Sequence, residues 1–332
     1  MRQYYALLRS TSRTFAVGIE ALPETLRDAV TLAYLVLRVS DYFEDSPSLD
    51  PEEKNQHLSR WAALLDQADR PPDPAAFSPL LQAVSAKDVD LPDQAAALDG
   101  SSILAGLAAL PPRFREPIRK HTADTTRGMA SWAIRGDDFP DEAALDRYMF
   151  EVAGRVGLLL TDLFAAHSEQ IRERADSLRE MAVSFGLGLQ TVNVIRGLHE
   201  DPARGWSYVP RTVLPPAVPN VDLRRLGSEE QSRILDFLVR KAGRHIVDAL
   251  DYCQALPRTE RGIRIFCVIP ALLASRTAAK SRRNPAVFRV PVRVTRSEVG
   301  RIILLSRILF FSNGWLERER LQALALMNGD GQ

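Results

Sequence analysis

Acidic side chains recur at helical spacing in the segment Arg38-Val-Ser-Asp41-Tyr-Phe-Glu44-Asp45. Asp41 and Asp45 are four residues apart and share one helix face, with Arg38 one turn earlier on that face. Two like charges at this spacing repel each other, so a bound cation would stabilise them. Magnesium suits such a pair because it takes one or two carboxylates together with phosphate oxygens and water. The spacing alone fits either a magnesium site or an ordinary acidic helix end before Ser46-Pro47.

A second polar stripe begins at Gln190. Asn193, Arg196 and Glu200 follow at steps of three and four, and Asp201 lies beside them. An amide, a guanidinium and two carboxylates on one helix face could hold a metal ion and a diphosphate. The alternative is a surface Arg196–Glu200 pair, which is worth about 0.5 kcal/mol. Two such stripes on separate apolar helices suggest a pocket with metal at its mouth and apolar walls for a hydrocarbon tail.

The elements that carry these stripes are predicted to be helices. Apolar residues recur at spacings of three and four over most of the chain, most clearly over 22–43, 142–164 and 175–198. The segment 287–294 alternates apolar and basic residues, but Pro291 argues against a central strand, so we expect an extended segment or loop. We find no repeat and no long linker. The sequence therefore predicts one all-α domain over 1–332, with a tail that frays after about 324.

Composition restricts the function classes. The chain has 332 residues, 45% of them hydrophobic, and a net charge of +1, which gives no general attraction for nucleic acid. Cys253 and Cys267 are expected to be buried thiols, and the five histidines lack metal-ligand spacing. The start has no signal-peptide pattern, and no stretch was found to reach the roughly 18 apolar residues of a membrane span. We expect a soluble cytoplasmic protein. The basic stretch that begins at Arg276 is either a solvated face or a flap over a diphosphate.

Five segments in chain order resemble the squalene/phytoene synthase family, and its squalene synthase branch in particular. The resemblance extends from about residue 8 to about 320. The segments are Thr11-Ser-Arg-Thr-Phe-Ala, Leu32-Ala-Tyr-Leu-Val-Leu-Arg-Val-Ser-Asp-Tyr-Phe-Glu-Asp, Tyr148-Met-Phe-Glu-Val-Ala-Gly-Arg-Val-Gly-Leu, Gly188-Leu-Gln-Thr-Val-Asn-Val-Ile-Arg and Phe266-Cys-Val-Ile-Pro-Ala.

This resemblance implies an isoprenoid synthase-type helical bundle around a central apolar cavity and a magnesium-dependent prenyltransferase. Asp41 and Asp45 would bind magnesium with support from Glu44, and Tyr148 would lie near the departing diphosphate and the cation. The remaining implied roles are diphosphate binding by Ser12, Arg13 and Arg38, a second metal and phosphate site formed by Gln190, Asn193, Arg196 and Asp201, and a hydrocarbon pocket lined by Phe15 and Phe266.

Three positions depart from the family pattern. Gly197 stands where the second motif normally has an acidic residue, Trp206 stands where an arginine is expected, and Glu151 replaces a tyrosine. These changes weaken one of two diphosphate sites. Trp206, with Tyr208 close by, could stack on a flat acceptor or on an allylic cation. Glu151 or Glu200 could then remove the proton after attack, although Glu151 could also simply pair with Arg155.

These departures favour transfer of a prenyl group from dimethylallyl or a longer diphosphate to a small aromatic acceptor in secondary metabolism. Squalene synthase-like enzymes that prenylate carbazole-type aromatics show a compatible pattern. The first alternative is a head-to-head squalene or presqualene diphosphate synthase that uses two farnesyl diphosphates, with NADPH needed for squalene. The second is an inactive family member that acts as an assembly subunit.

Overall fold

The structure is a computed structural model that describes residues 1–88, 91–200, 206–215 and 222–327, apart from the side chains of Arg13, Thr14 and Met327. Across these residues the secondary structure is helical, without a β-strand, as the sequence predicts. The chain divides into two compact units. The first comprises Met1–Arg135 and Leu158–Ala175, and the second comprises Gly136–Gly157 and Asp176–Gln332. The expectation of one domain over 1–332 stays a prediction.

The first unit is built around one long buried helix. Its helices are α1 (Arg2–Thr11), α2 (Arg13–Ile19), α3 (Glu24–Asp45), α4 (Pro51–Asp66), α5 (Pro74–Ala83), α6 (Gln94–Leu98), α7 (Gly100–Ala108) and α8 (Pro112–Arg135), with part of α10 (Arg155–His167) and α11 (Glu169–Arg172). Helix α3 packs against α1, α4, α6, α7 and α8. Asn55 donates to the Ala130 carbonyl at 2.8 Å and ties α4 to α8. Because α3 is surrounded by helices, polar groups at its end are held by a rigid frame.

The second unit contains α9 (Glu142–Met149), a π-helical turn over Phe150–Gly154, α12 (Ala175–Gly197), α13 (Ser228–Ala255), α14 (Arg261–Ser281), α15 (Arg296–Leu309) and α16 (Asn313–Met327). Helix α13 packs against α14 and α16. The fully buried guanidinium of Arg264 donates to the carbonyl oxygens of Leu256 and Phe310 and to Asn313 Oδ1. This arginine joins α14 to the end of α13 and to the turn between α15 and α16.

Most helix positions agree with the sequence prediction. The stretch 22–43 forms α3, and 175–198 forms α12. The stretch 142–164, expected as one helix, is interrupted by the π-helical turn. Of the segment 287–294, expected to be extended or a loop, residues 287 and 288 end a short 3-10 helix (Pro285–Phe288) and 289–294 are non-helical. Helix α16 continues to Met327, past the predicted start of fraying, and 328–332 lie outside the described residues. Cys253 and Cys267 are buried thiols, as predicted.

One described helix is long and apolar enough to cross a membrane. Helix α14 has an 18-residue window with a mean hydropathy of 1.4, of which 72% is buried inside the protein. Arginines and a lysine interrupt the apolar residues of this stretch, so the sequence does not show it as a continuous apolar run. Such burial is typical of a core helix, so its composition is weak support for a membrane span.

Candidate active site

A buried carboxylate holds the acidic C-terminal end of α3 in place. Asp88 accepts hydrogen bonds from Tyr42 Oη at 3.0 Å and from Ser46 Oγ at 2.5 Å. Burial opposes ionisation of Asp88, but the hydrogen bonds outweigh it and lower its pKa. The last turn of α3 is therefore fixed where Asp41 and Asp45 project from it.

Near the same end of α3, the guanidinium of Arg38 bridges two carboxylates. Arg38 forms an ion pair with Asp41 on its own helix and a longer one with Asp93, whose Oδ1 lies 3.5 Å from Arg38 Nη1. The side chains of Asp41 and Asp93 are only 16% and 10% exposed. The guanidinium also lies over the ring of Tyr34, 5.1 Å from its centroid. These contacts hold Arg38 in one place, which favours its predicted role in binding an anion.

The cluster carries an excess of negative charge. Burial raises the pKa of Asp41 to about 7; Arg38 lowers it, and Asp93 and Asp45 raise it further. Burial also raises the pKa of Asp93. Burial lowers the pKa of Arg38, but Asp41 and Asp93 together raise it above its ordinary value. Three carboxylates lie around one guanidinium, so the cluster can bind another cation. A positive charge close to these acids would lower their pKa values and favour their ionised forms.

The donor set fits magnesium shared with a diphosphate better than a dedicated metal cage. In the described part of the chain, no group of three or more histidine, cysteine, aspartate and glutamate side chains could hold a metal ion alone. Magnesium needs only one or two carboxylates when phosphate oxygens complete its shell. Lys54 of α4 is electrostatically coupled to Asp45 and Glu44, and burial lowers the pKa of this lysine. It adds a second positive charge beside the acidic turn.

The predicted diphosphate loop lies next to the same cluster. Ser12 caps α2 by accepting a hydrogen bond from the Phe15 backbone N–H at 3.3 Å. The Tyr34 hydroxyl bonds to Thr11 and Ser12, and these bonds act against burial, which raises the pKa of Tyr34. The Phe15 ring is 42% exposed and lies 5.9 Å from the Tyr34 ring. Tyr34 thus joins this loop to Arg38. The Arg13 side chain is outside the described residues.

In the second unit, most of the polar stripe at the end of α12 is exposed, and its predicted role in a metal and phosphate site stays a prediction. Asn193, Arg196 and Glu200 are exposed, and Gln190 is half-buried and accepts from Asn193 Nδ2 at 3.4 Å. The alternative Arg196–Glu200 pair is not formed. Glu200 instead lies 3.8 Å from His199 Nε2. Among the described residues Arg196 therefore forms no ion pair, and its guanidinium can bind an anion. Asp201 is outside the described residues.

Gly197 is the last residue of α12. A glycine in a helix interior costs about 1 kcal/mol relative to alanine, but Gly197 is not in the interior. A glycine costs little where a helix ends. The position nevertheless supplies no carboxylate to the second motif.

The candidate Tyr148 belongs to a stack of four aromatic rings. Tyr148 and Tyr208 have centroids 5.3 Å apart with planes at 27°, and their hydroxyls are 3.4 Å apart. Trp206 stacks on Tyr208 at 5.9 Å and 20°, and Phe139 lies 5.7 Å from Tyr148. The backbone N–H of Ser207 donates to an Asp137 carboxylate oxygen at 2.5 Å. This hydrogen bond fixes the segment that carries Trp206 and Tyr208. The arrangement offers aromatic faces that could stabilise a carbocation.

Two other candidates are placed without a clear active-site function. Glu151 forms an ion pair with Arg155 at 2.6 Å, which is the structural alternative that the sequence offered. Phe266 lies on α14 and is 6% exposed. Their roles in substrate binding stay predictions.

Small residues and a hydrogen-bonded network set the position of α12 in the second unit. A Cβ on Gly157 would lie 2.1 Å from the Ala182 carbonyl oxygen, and one on Gly186 would lie 2.2 Å from that of Ala153. Only glycine allows such a close approach to the π-helical turn and α10. On the other side, Ser184 Oγ lies 2.7 Å from His245 Nδ1 and donates to Asp248 Oδ2 at 2.5 Å.

Sequence reasoning missed Asp93, Lys54 and Lys241. Asp93 precedes α6 like an ordinary N-cap, yet its side chain makes no capping bond and reaches Arg38 instead. Lys241 is fully buried on α13 and binds Glu142 and Asp146 of α9, the helix that bears Tyr148. A lysine among apolar α13 residues was the only sequence signal, and its partners are almost a hundred residues away.

Comparison with known proteins matches this chain to one family. The squalene/phytoene synthase model matches residues 8–298. The squalene synthases ERG9 of Candida albicans and Saccharomyces cerevisiae are 29% and 30% identical over 314 and 315 residues. Each alignment covers 92% of this chain and 67% of the relative, so the chain spans about two thirds of their length. The structure of TcSQS with the ligand BPH1237 has a TM-score of 0.80 and 25% identity, covering 100% of this chain and 93% of that one.

Proposed function

Because this chain belongs to the squalene/phytoene synthase family, and is therefore a prenyltransferase, we propose that it joins two prenyl diphosphates head to head. This is the squalene synthase alternative of the sequence analysis. The similarity to known squalene synthases supports it better than it supports an aromatic acceptor. The expectation of a cytoplasmic enzyme stays a prediction.

The observation that carries the proposal is the partly buried cluster of charges at the end of α3. Asp41, Asp93 and Asp45 raise the local negative charge, and Arg38 is fixed between the first two. A structural ion pair needs one carboxylate for one guanidinium. The additional acids suit a divalent cation that is delivered with a diphosphate.

Magnesium, when bound here, would neutralise the diphosphate and make it a better leaving group. Asp41 and Asp45 would hold the ion, with Glu44 in support. Arg38 would donate hydrogen bonds to phosphate oxygens as negative charge develops on the leaving group. Ser12 lies at the N-terminus of α2, which Tyr34 joins to the same cluster.

The aromatic stack around Tyr148 would act on the organic half of the substrate. Loss of diphosphate leaves an allylic cation, and the double bond of the second prenyl chain attacks its C1. A proton is then lost as the cyclopropane ring closes. The faces of Tyr148, Tyr208 and Trp206 could stabilise the positive charge during these steps. A second ionisation followed by hydride transfer from NADPH would give squalene.

The aromatic-acceptor hypothesis rested on Gly197 and Trp206. Both departures are present, but Arg196 lies exposed on α12 without an ion pair to Glu200, so the second motif retains a cation for a phosphate group. The inactive-subunit hypothesis is disfavoured by the intact cluster around Asp41.

Incubation of the protein with magnesium and radiolabelled farnesyl diphosphate alone tests the proposal. We expect a C30 diphosphate, and squalene once NADPH is added. Product that forms only after addition of an aromatic acceptor would refute head-to-head condensation and restore the first hypothesis. Absence of diphosphate release from every allylic donor would favour an inactive subunit.

Substitution at the cluster tests which residues act. Asp41→Ala should abolish magnesium-dependent diphosphate release. Asp69→Ala, at an exposed carboxylate outside the cluster, is the matched control and should keep the wild-type rate. Equal rates for the two variants would refute the assignment of Asp41.

A further inference from the structure

The outer face of α15 carries an aligned set of exposed apolar side chains. Leu304, Ile308 and Phe311 follow at steps of four and three and are 57%, 54% and 51% exposed. Helical geometry places all three on one side of α15 and of the turn that follows it. Single exposed apolar residues are ordinary, but an aligned group marks an interaction surface.

The same part of the chain is strongly basic. Residues 282–311 contain seven arginines and one glutamate, although the whole chain has a net charge of only +1. Besides Arg283, the exposed arginines are Arg289, Arg293, Arg296, Arg301 and Arg307. Across the described ranges, none of these five forms an ion pair, and the single glutamate, Glu298, is bound to Lys280 at 2.6 Å. The positive charge of this face is therefore not neutralised by the protein.

The orientation of α15 is fixed by its opposite face. Ile302 and Ser306 are buried, Lys280 holds the first turn through Glu298, and Arg264 Nε donates to the Phe310 carbonyl at 2.6 Å. The apolar side chains cannot turn inward without breaking these contacts. Their exposure is a property of the folded unit.

We propose that this face of α15, together with the preceding segment 289–295, docks on the surface of an anionic lipid bilayer. Leu304, Ile308 and Phe311 would enter the headgroup boundary, as the apolar face of an interfacial helix does. By helical rotation Arg301 flanks this stripe on one side and Arg307 on the other, where both can reach lipid phosphates.

A second copy of the chain suits this face less well. A twofold contact places the same patch of both copies together, so the unneutralised arginines would face each other. An anionic membrane supplies the opposite charge and an apolar layer at the same depth. Docking of this face on a membrane is independent of which reaction the enzyme catalyses.

Sedimentation of the intact protein with lipid vesicles tests the proposal. We expect binding to phosphatidylcholine vesicles that contain phosphatidylglycerol, weak binding to phosphatidylcholine alone, and loss of binding at high salt. Arg301→Gln with Arg307→Gln should weaken binding by more than tenfold, since each basic residue at an anionic surface contributes roughly fivefold. Replacing Leu304, Ile308 and Phe311 together by serine should reduce it by at least a further tenfold.

The matched control replaces three other exposed apolar residues, Leu81, Leu98 and Ile134, by serine. This control should bind like the wild type. Equal binding by the α15 triple variant, or no vesicle binding by the wild type, would overturn the proposal. A wild-type dimer that the triple variant dissociates, without vesicle binding, would identify the face as a self-association surface instead.

A labelled variant separates docking from misfolding. Cys253 and Cys267 are buried, so Leu304→Cys can carry an environment-sensitive fluorophore at one exposed position. Anionic vesicles should shift its emission to the blue, whereas the same label at Leu98→Cys should not respond. Identical responses at the two positions would refute docking through α15.

Discussion

The network of Ser184, His245 and Asp248 predicts an acid-sensitive step in stability. Ser184 donates to Asp248, so the neutral His245 must donate from Nδ1 to Ser184 and leave Nε2 without a proton. Burial lowers the pKa of His245 to about 4; Lys241 adds to this effect, and Asp146 and Asp248 oppose it. An unfolded histidine has a pKa of about 6.5.

The sign follows from proton linkage. The folded state binds the proton more weakly than the unfolded state, so the contribution is complete above about pH 6.5 and is lost as the pH falls towards 4. With these two values, lowering the pH from 7 to 5 removes about 2 kcal/mol from the free energy of unfolding. This loss is a large part of the stability of an ordinary domain.

Urea denaturation of the wild type and of His245→Asn at pH 7 and pH 5 measures this contribution. Asparagine can place an amide donor where Nδ1 lies, but it does not titrate. Between pH 7 and pH 5, we expect the free energy of unfolding of the wild type to fall by about 2 kcal/mol more than that of the variant. The NMR resonance of His245 should titrate near pH 4. Equal losses in both proteins, or a midpoint near 6.5, would refute the reasoning.

Substitutions at Gly186, Lys241 and Asp93 test the packing and ion pairs that position the site. Gly186→Ala should destabilise the protein by about 1–3 kcal/mol because its Cβ would meet the Ala153 carbonyl oxygen. Gly300→Ala, with open space around the new Cβ, should instead stabilise the protein by up to about 1 kcal/mol. Urea unfolding of both variants measures these differences. Lys241→Met should cost about 1–3 kcal/mol in the same assay, less than a fully buried pair, because Glu142 and Asp146 are more than a third exposed. Asp93→Asn should lower kcat/KM about 10–100-fold without a change in unfolding free energy, and partial rescue by Asp93→Glu would be expected; an unchanged kcat/KM would show that Arg38 does not need this partner.

Local pattern was enough to place the helices that carry the site. Helices α3 and α12 follow from apolar residues at steps of three and four, and Asp41, Asp45 and the α12 stripe follow from the same period. The π-helical turn after Tyr148 could not be read in this way. It depends on the close packing of Gly157 and Gly186 against backbone, which is a property of the folded unit.

Long-range partners were the part of the site that the sequence could not provide. Asp93 has the local context of a helix cap, and only the packing of α6 against α3 turns it towards Arg38. Lys241 interrupts an apolar face, and a buried lysine is tolerable only because Glu142 and Asp146 approach it. In both cases the sequence identifies one charged residue, and only the tertiary structure shows which residue it pairs with.

The two departures in the second motif can be explained together by charge. An acidic residue was expected at 197 and an arginine at 206, and the chain has Gly197 and Trp206. Loss of both charges leaves the net charge of the motif unchanged, while Trp206 extends the aromatic stack through Tyr208 to Tyr148. The chain therefore lacks one expected charge of each sign and gains an aromatic ring at 206, and a stack that can stabilise a carbocation supports an active enzyme better than an inactive subunit.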